Sequence, residues 1–239
     1  MRLAIISGGS KGLGASLCQQ YLARGYEVIE FSRTAPHDYS TAIDLALVEE
    51  ASRIVYVALI PLAQREWQSI IVINNAGTLT PIGPASNKER ASVIENLNTN
   101  FTSGIVFMTE VLRHFQNHEG SKILVNISSG AAQGARAGWS LYCAAKAGLE
   151  HFIRSVALEQ ALLDHPFTAI NIDPGLVDTD MQTHIRQSSV EDFPALEQFK
   201  QRKETGLLVA PEKVAAAILR IVDRPDIDNG QRIPVDVES

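Results

Sequence analysis

Short apolar runs alternate with longer segments of helical pattern along most of the chain. Five runs are continuous apolar or β-branched sequence, as expected of strands buried on both faces of a sheet. They cover residues 3–6, 28–31, 70–73, 123–127 and 168–172. The intervening segments are long enough for crossover helices, which are right-handed between parallel strands. The pattern predicts an α/β fold with a doubly wound parallel sheet flanked by helices.

Two helical segments are well marked. The first covers about residues 12–24 and ends before Gly25, which suits a left-handed cap. The second, about 91–115, predicts one long helix with a continuous apolar stripe. The stripe consists of Ile94, Leu97, Phe101, Ile105, Met108, Leu112 and Phe115. It either covers the sheet or meets a second subunit along its outer edge.

Length and composition predict one globular domain over residues 1–239, because the 239 residues are 45% hydrophobic and 20% charged. They exclude a disordered chain or a collagen-like fibre. With 21 basic against 27 acidic residues, we expect no nucleic-acid partner. A local basic pocket remains compatible with this balance.

The sequence also favours a particular compartment. No apolar run reaches the roughly 18 residues of a membrane span, and residues 1–6 lead into a glycine loop instead of a cleavage site. Cys18 and Cys143 cannot form a disulfide framework. We therefore expect a cytoplasmic protein with no membrane partner.

A glycine-rich loop follows the first predicted strand and opens the first helix. Glycines let the backbone turn tightly, present N–H groups to a pyrophosphate and let the helix pack closely on the strand. Because of its position, the loop predicts a dinucleotide-binding site. The expected cofactor contacts are Gly8, Ser10, Lys11, Gly12, Leu13 and Gly14.

The end of the second strand indicates which dinucleotide is bound. An acidic residue there would bind the ribose hydroxyls and repel a 2′-phosphate, whereas Ser32 and Arg33 offer a hydroxyl and a guanidinium to that phosphate. Lys11 is a second candidate cation. These residues favour NADP(H) over NAD(H), unless Lys11 and Arg33 are ordinary solvated charges.

Ser129, Tyr142 and Lys146 are the candidate catalytic residues. Tyr142 and Lys146 are four residues apart in a helical pattern and so share a face, and Ser129 follows the strand at 123–127. A carbonyl that accepts a hydride needs a proton donor at its oxygen. Tyr142 can supply that proton, because the nearby Lys146 cation is expected to lower the phenol's pKa toward working pH. Ser129 would hold the carbonyl oxygen.

These motifs resemble the short-chain dehydrogenase/reductase family over nearly the whole chain, which implies a Rossmann-like fold. Gly8, Gly12 and Gly14 have the family's glycine spacing, and Ser129, thirteen residues before Tyr142, is favoured over Ser128 as the catalytic serine. The resemblance implies roles for further residues. Asn100 would help to position a water next to Lys146. Cofactor contacts would come from an adenine-side turn at Asp44 and Leu45, and from the motif after the fourth strand at Asn75, Ala76 and Gly77. The segment that holds the nicotinamide would supply Pro174, Gly175, Val177 and Thr179, and Tyr142 and Lys146 would also contact the cofactor.

Within that family, residues 138–143 and 177–181 look most like sepiapterin reductases and bacterial benzil reductases, and residues 182–208 look particularly like the latter. The implied activity is NADPH-dependent reduction of a small-molecule ketone or diketone by a homodimer or homotetramer. Sepiapterin reductases hold the pterin with a carboxylate near the C-terminus. Here that position is Pro234 and the nearest acid is Asp236, so a diketone is at least as well supported as a pterin.

Residues 176–205 mix polar residues with Met181, Ile185, Phe193, Leu196 and Phe199. The pattern predicts a lid over a substrate pocket or, alternatively, a plain pair of connecting helices. Trp139 would wall an aromatic pocket or pack in the core.

Other signals are weaker. His114 and His118 lie four apart beside Glu119, but no third ligand is apparent and we expect no metal. Two alternative functions remain open: an NADPH-binding regulator without turnover, and an alcohol dehydrogenase working in the oxidative direction.

Overall fold

A seven-stranded parallel sheet forms the centre of the computed structural model, which describes residues 1–237. Its strands are β1 (Arg2–Ser7), β2 (Glu27–Ser32), β3 (Ser40–Ala42), β4 (Ser69–Asn74), β5 (Ser121–Ile127), β6 (Thr168–Asp173) and β7 (Arg232–Pro234). The spatial order is β3-β2-β1-β4-β5-β6-β7. The five predicted strands are confirmed. The edge strands β3 and β7 have three residues each, too few to show an apolar run.

Helices cover both faces of this sheet. They are α1 (Gly12–Ala23), α2 (Val48–Ala63), α3 (Arg90–Leu97), α4 (Ser103–Phe115), α5 (Ser140–Gln160), α6 (Asp180–Arg186), α7 (Leu196–Glu204) and α8 (Pro211–Val222). One apolar core lies under α2, α4 and α5, and a second lies under α1 and α8. The fold is therefore a single doubly wound, Rossmann-like α/β domain. The strand order reverses between β1 and β4, where such sheets bind ligands at their carboxyl edge.

The predicted helix at 91–115 is interrupted by a π-helical turn at Asn98–Thr102, between α3 and α4. A π turn adds one residue per turn, so the helices before and after it present different faces to the sheet. Ile94 is 53% exposed, whereas Phe107 and Phe115 are buried in the core. The predicted stripe therefore fails before the π turn, at Ile94. Its later part is confirmed, because the core contains or contacts Phe101, Ile105, Met108, Leu112 and Phe115.

A third apolar cluster, which we call the outer cluster, lies at the carboxyl edge of the sheet. Its buried members are Leu79, Ala131, Trp139, Tyr142, Ile185, Phe193, Leu196 and Phe199. The Trp139 ring stacks on Phe193 with a centroid distance of 4.8 Å. Residues 176–205 thus contain two short helices whose apolar side chains pack around Trp139, and movement of this segment as a lid stays a prediction. Within residues 1–237, no helix combines the length and apolar content needed to cross a membrane.

Candidate active site

The glycine loop after β1 is fixed between β2 and β4. The Gly8 N–H donates to Phe31 O at 2.8 Å, and Asn75 Nδ2 donates to Gly8 O at 2.9 Å. A Cβ on Gly14 would lie 2.0 Å from Gly8 O, and one on Gly8, whose φ is +73°, would lie 2.8 Å from the Ala76 Cα. Only glycine fits at Gly8 and Gly14, so the backbone is open where a pyrophosphate would approach.

The N-terminus of α1 fits a phosphate group. The first N–H groups of a helix lack intrahelical acceptors. In the part of the chain that the structure describes, the side chain of the N-cap residue Lys11 does not accept a hydrogen bond from them. The loop after β6 lies directly across from it: the Thr179 Cγ2 is 3.2 Å from where a Cβ on Gly12 would be. The structure therefore brings the glycine loop and the segment predicted to hold the nicotinamide together, as a dinucleotide requires.

Two contacts fix residues 174–179 where the chain leaves β6. Gly175, which follows Pro174, has a φ of +70°, and its N–H donates to Asp173 Oδ1 at 3.1 Å. Val177 pairs with Val209 in an isolated parallel bridge. These contacts hold the segment at the carboxyl edge of the sheet.

At the adenosine side, the predicted phosphate contacts differ in exposure. The buried Ser32 hydroxyl donates to Glu30 Oε1 at 3.0 Å and is therefore already engaged. Lys11 Nζ lies 3.0 Å from Asp180 Oδ2, with both side chains more than 70% exposed. Arg33 is exposed at the end of β2. The sequence reasoning missed Glu30, a buried acid that also accepts from the Gly9 N–H at 3.1 Å.

The predicted adenine-side turn is tied to α4. Asp44 Oδ1 accepts from the Ala46 N–H at 3.0 Å, and Leu45 O accepts from the Ser103 hydroxyl at 2.6 Å. The turn therefore has a fixed backbone beside the end of β2.

Ser129, Tyr142 and Lys146 converge at the other end of the site. Lys146 Nζ lies 5.6 Å from the centroid of the Tyr142 ring and donates to Ile127 O at 2.6 Å. Ser129 Oγ accepts from the Ala131 N–H at 3.2 Å and is also hydrogen-bonded to Tyr142. Tyr142 and Lys146 are 7% and 3% exposed, whereas Ser129 is half-buried, so the phenol and the ammonium are largely removed from water.

Desolvation sets the protonation of this group. Burial raises the pKa of Tyr142 to about 12, although the hydrogen bond with Ser129 lowers it. Burial lowers the pKa of Lys146 to about 8, opposed by the nearby carboxylates of Glu150 and Asp173. The expected lowering of the tyrosine pKa by Lys146 is wrong for the protein alone, because loss of water disfavours both charged forms.

Asn100 lies in the π turn between α3 and α4 and is 2% exposed. Its Oδ1 accepts from the Thr78 N–H at 2.7 Å, and its Nδ2 donates to Thr78 O at 2.8 Å. A Cβ on Gly77 would lie 3.2 Å from Asn100 Oδ1. Asn100 therefore fixes the chain just after the Asn75–Gly77 motif, and its link to Lys146 through a water stays a prediction.

The remaining sequence signals lie outside this group. The part of the chain that the structure describes contains no cluster of three or more His, Cys, Asp or Glu side chains able to hold a metal. His114 Nδ1 hydrogen-bonds to Glu110 O and His118 Nε2 to Arg65 O. Asp236 is exposed just beyond β7.

Comparison with known proteins identifies the family. Residues 2–189 match the family model for short chain dehydrogenases, and the chain belongs to that family. It is therefore an oxidoreductase that acts on carbonyl or hydroxyl groups with a nicotinamide cofactor.

Individual relatives agree with this assignment. A benzil reductase ((S)-benzoin forming) of Bacillus subtilis is 37% identical over 236 residues, covering 97% of both chains. A sepiapterin reductase of Rattus norvegicus is 32% identical over 170 residues, covering 70% of this chain and 63% of the relative. The crystal structure of the KRED1-Pglu enzyme superposes with a TM-score of 0.81 at 27% identity, covering 98% of this chain and 100% of that one.

A second group of polar residues near the site was missed by the sequence reasoning. Glu150, on α5, is buried and accepts hydrogen bonds from residues on both sides of Ser129. Its position four residues after Lys146, which puts both side chains on one helix face, is the signal that was available in the sequence. Its partner Arg232 lies on β7, which the pattern did not predict.

Proposed function

We propose that this protein is an NADPH-dependent carbonyl reductase that reduces a ketone or diketone, with Tyr142 as the proton donor. The observation that carries the proposal is the meeting of the buried Tyr142 and Lys146 with Ser129 at the carboxyl edge of the sheet. The benzil reductase relatives support carbonyl reduction as the reaction.

Each of the three side chains has a distinct task in this proposal. The nicotinamide, when bound, supplies the hydride to the carbonyl carbon. Tyr142 donates its phenolic proton to the carbonyl oxygen, and its raised pKa keeps that proton in place until the oxygen becomes basic. Ser129 hydrogen-bonds to the same oxygen. The Lys146 ammonium stabilises the phenolate that forms on Tyr142 when its proton is transferred.

NADPH is proposed over NADH on the basis of the end of β2. The exposed guanidinium of Arg33 is available to a 2′-phosphate, and the exposed Lys11, which pairs with Asp180, is proposed as the second cation. No acidic side chain occupies positions 32 or 33 to repel it. The other proposed cofactor contacts are the glycine loop, Asp44 with Leu45, the Asn75–Gly77 motif and residues 174–179.

The substrate is proposed to be benzil-like or sepiapterin-like. The outer cluster places aromatic side chains next to the proposed proton donor, since the Trp139 ring meets the Tyr142 ring edge-to-face at 5.9 Å. Residues 176–205 are proposed as the lid over this substrate. We also propose a cytoplasmic homodimer or homotetramer.

A substrate panel tests the proposal. Purified protein is given benzil, other 1,2-diketones, sepiapterin and quinones, each with NADPH or NADH at equal concentration, and cofactor oxidation is followed by absorbance. We expect turnover of diketones with NADPH and weaker turnover with NADH. Tight NADPH binding without turnover of any carbonyl would support a regulator instead, and turnover only of alcohols with NADP⁺ would support the oxidative direction.

A further inference from the structure

Glu150 places one buried carboxylate beneath the turn that carries Ser129. Its side chain is 3% exposed. Ser128 Oγ donates to Oε1 at 2.5 Å, Gln133 Nε2 donates to Oε2 at 2.7 Å, and Arg232 Nε donates to Oε1 at 2.8 Å. Ser128 precedes Ser129, and Gln133 closes the short 3₁₀ turn that follows it. The carboxylate therefore holds this turn at both ends.

Arg232 extends the same network to the cofactor side. Its Nη2 donates to Asp173 Oδ2 at 2.6 Å, and Asp173 Oδ1 accepts from the Gly175 N–H at 3.1 Å. A buried carboxylate is tolerated only when it is paired and its oxygens are satisfied. The arginine meets that requirement for Glu150 and at the same time connects α5 to the loop after β6.

Within residues 1–237, the titratable and charged groups that face Lys146 belong to this network or to the catalytic group. Tyr142 and Glu150 face it from α5, Asp173 from the end of β6, and Arg232 lies on β7 against both acids. Of the two carboxylates, Glu150 is the one on the same helix as Lys146, one turn away. Glu150 and Asp173 both raise the pKa of Lys146 against the effect of burial, so loss of either negative charge would favour the neutral amine.

We propose that Glu150 is a positioning residue for the reduction, which clamps the Ser129 turn to the helix that carries Tyr142 and Lys146, with Arg232 as its counter-charge. The proposal rests on the proposed function, because it assigns Glu150 to the geometry of that reaction. Misplacing a reacting group by about 1 Å costs on the order of 100-fold in rate, so the clamp has a measurable effect.

The test compares Glu150→Gln with the wild-type enzyme in steady-state kinetics on the best carbonyl of the panel. Glutamine keeps the size of the side chain but removes its charge and weakens its bonds to Ser128 and Arg232. We expect kcat to fall on the order of 10-fold to 100-fold with the KM for NADPH within about 2-fold of wild type. We also expect the alkaline fall in kcat to begin at lower pH, because Lys146 loses its proton more easily.

Two further variants separate positioning from stability. Glu150→Asp keeps the charge and should restore the wild-type alkaline limb even if kcat stays reduced. Gln160→Leu is the matched control: Gln160 is a buried polar residue on the same helix, and its side chain accepts from the Phe167 N–H at 2.8 Å, away from the site. It should lower Tm and leave the pH profile unchanged.

The outcomes are distinguishable. If Glu150→Gln lowers Tm as Gln160→Leu does but keeps the wild-type kcat and pH profile, Glu150 is structural and the proposal fails. If Glu150→Gln does not fold, Gln133→Ala provides the test. Gln133 is exposed, and its replacement removes one end of the clamp. An unchanged kcat in this variant would overturn the proposal. Absence of wild-type turnover on every carbonyl would instead refute the proposed function itself.

Discussion

The polar groups at the two ends of the site differ in their exposure to solvent. At the catalytic end, Tyr142 and Lys146 are buried, and the lysine ammonium already has a backbone partner in Ile127. At the phosphate end, Arg33 is exposed and Lys11 shares a solvated ion pair with Asp180. Proton transfer needs donors fixed before the substrate arrives. A 2′-phosphate, in contrast, orders flexible cations when it binds, so only the catalytic end has to be rigid in the free protein.

The largest effect is expected from Tyr142→Phe, which removes the proton donor and keeps the ring in the outer cluster. Turnover should fall by at least about 10²–10⁴-fold, the usual contribution of a positioned acid. NADPH affinity, measured by fluorescence titration, should stay within about 2-fold, since the phosphate end is untouched. Near-normal turnover would show that Tyr142 is not the donor.

Gly14→Ala should affect both ends, because the glycine loop joins them. The new Cβ would lie 2.0 Å from Gly8 O, so the backbone must move. We expect a loss of about 1–3 kcal/mol in unfolding free energy, as for other overpacked positions, and weaker binding of NADPH and NADH alike. Gly134→Ala is the control: its Cβ would have a single neighbour, at 3.8 Å. Equal behaviour of the two variants in urea unfolding would contradict the role of the loop.

Arg33→Ala should act on the phosphate end alone. Loss of one charge-assisted contact should raise the Kd for NADPH about 10-fold, within the usual range for such bonds, and leave the Kd for NADH and the kcat unchanged. Arg220→Ala, an exposed arginine on α8, controls for net charge. Equal weakening of both cofactors would remove the basis for preferring NADPH.

The smallest effect is expected from Asp180→Asn, which breaks the ion pair with Lys11. Both side chains are highly exposed, so the unfolding free energy should change by less than about 1 kcal/mol. The freed Lys11 should bind NADPH slightly more tightly at low salt, and this gain should disappear as salt screens the charges. A weaker affinity for NADPH would indicate that Asp180 orders Lys11 for the phosphate.

Much of the fold was predictable because the relevant signals are local. The central strands are buried on both faces and therefore appear as continuous apolar runs, such as residues 70–73 inside β4. The edge strand β7 has only Ile233 buried, so no run marks it. The interruption of the helix at 91–115 was invisible for another reason: the spacing of apolar residues does not reveal that Asn100 bonds to Thr78 from within a π turn.

The candidate site shows the same division between local sequence signals and contacts between distant residues. The four-residue spacing of Tyr142 and Lys146 puts their side chains on one helix face, and the glycine spacing after β1 fixes where the backbone turns tightly. Both depend on the geometry of a single element. The packing of Trp139 on Phe193 and the clamp formed by Glu150 and Arg232 join residues far apart in the chain. No local pattern encodes such pairs.

The sequence by itself therefore determined the parallel sheet, the glycine loop and the residue types at the catalytic end, because periodicity and spacing act within one strand, turn or helix. Only the tertiary structure decided the direction in which the pKa of Tyr142 is moved. That direction depends on how much water the surrounding elements remove, and here burial outweighs the hydrogen bond from Ser129. Tertiary packing also made Glu150 part of the site, since its three partners are Ser128 just after β5, Gln133 at the end of the following turn and Arg232 on β7.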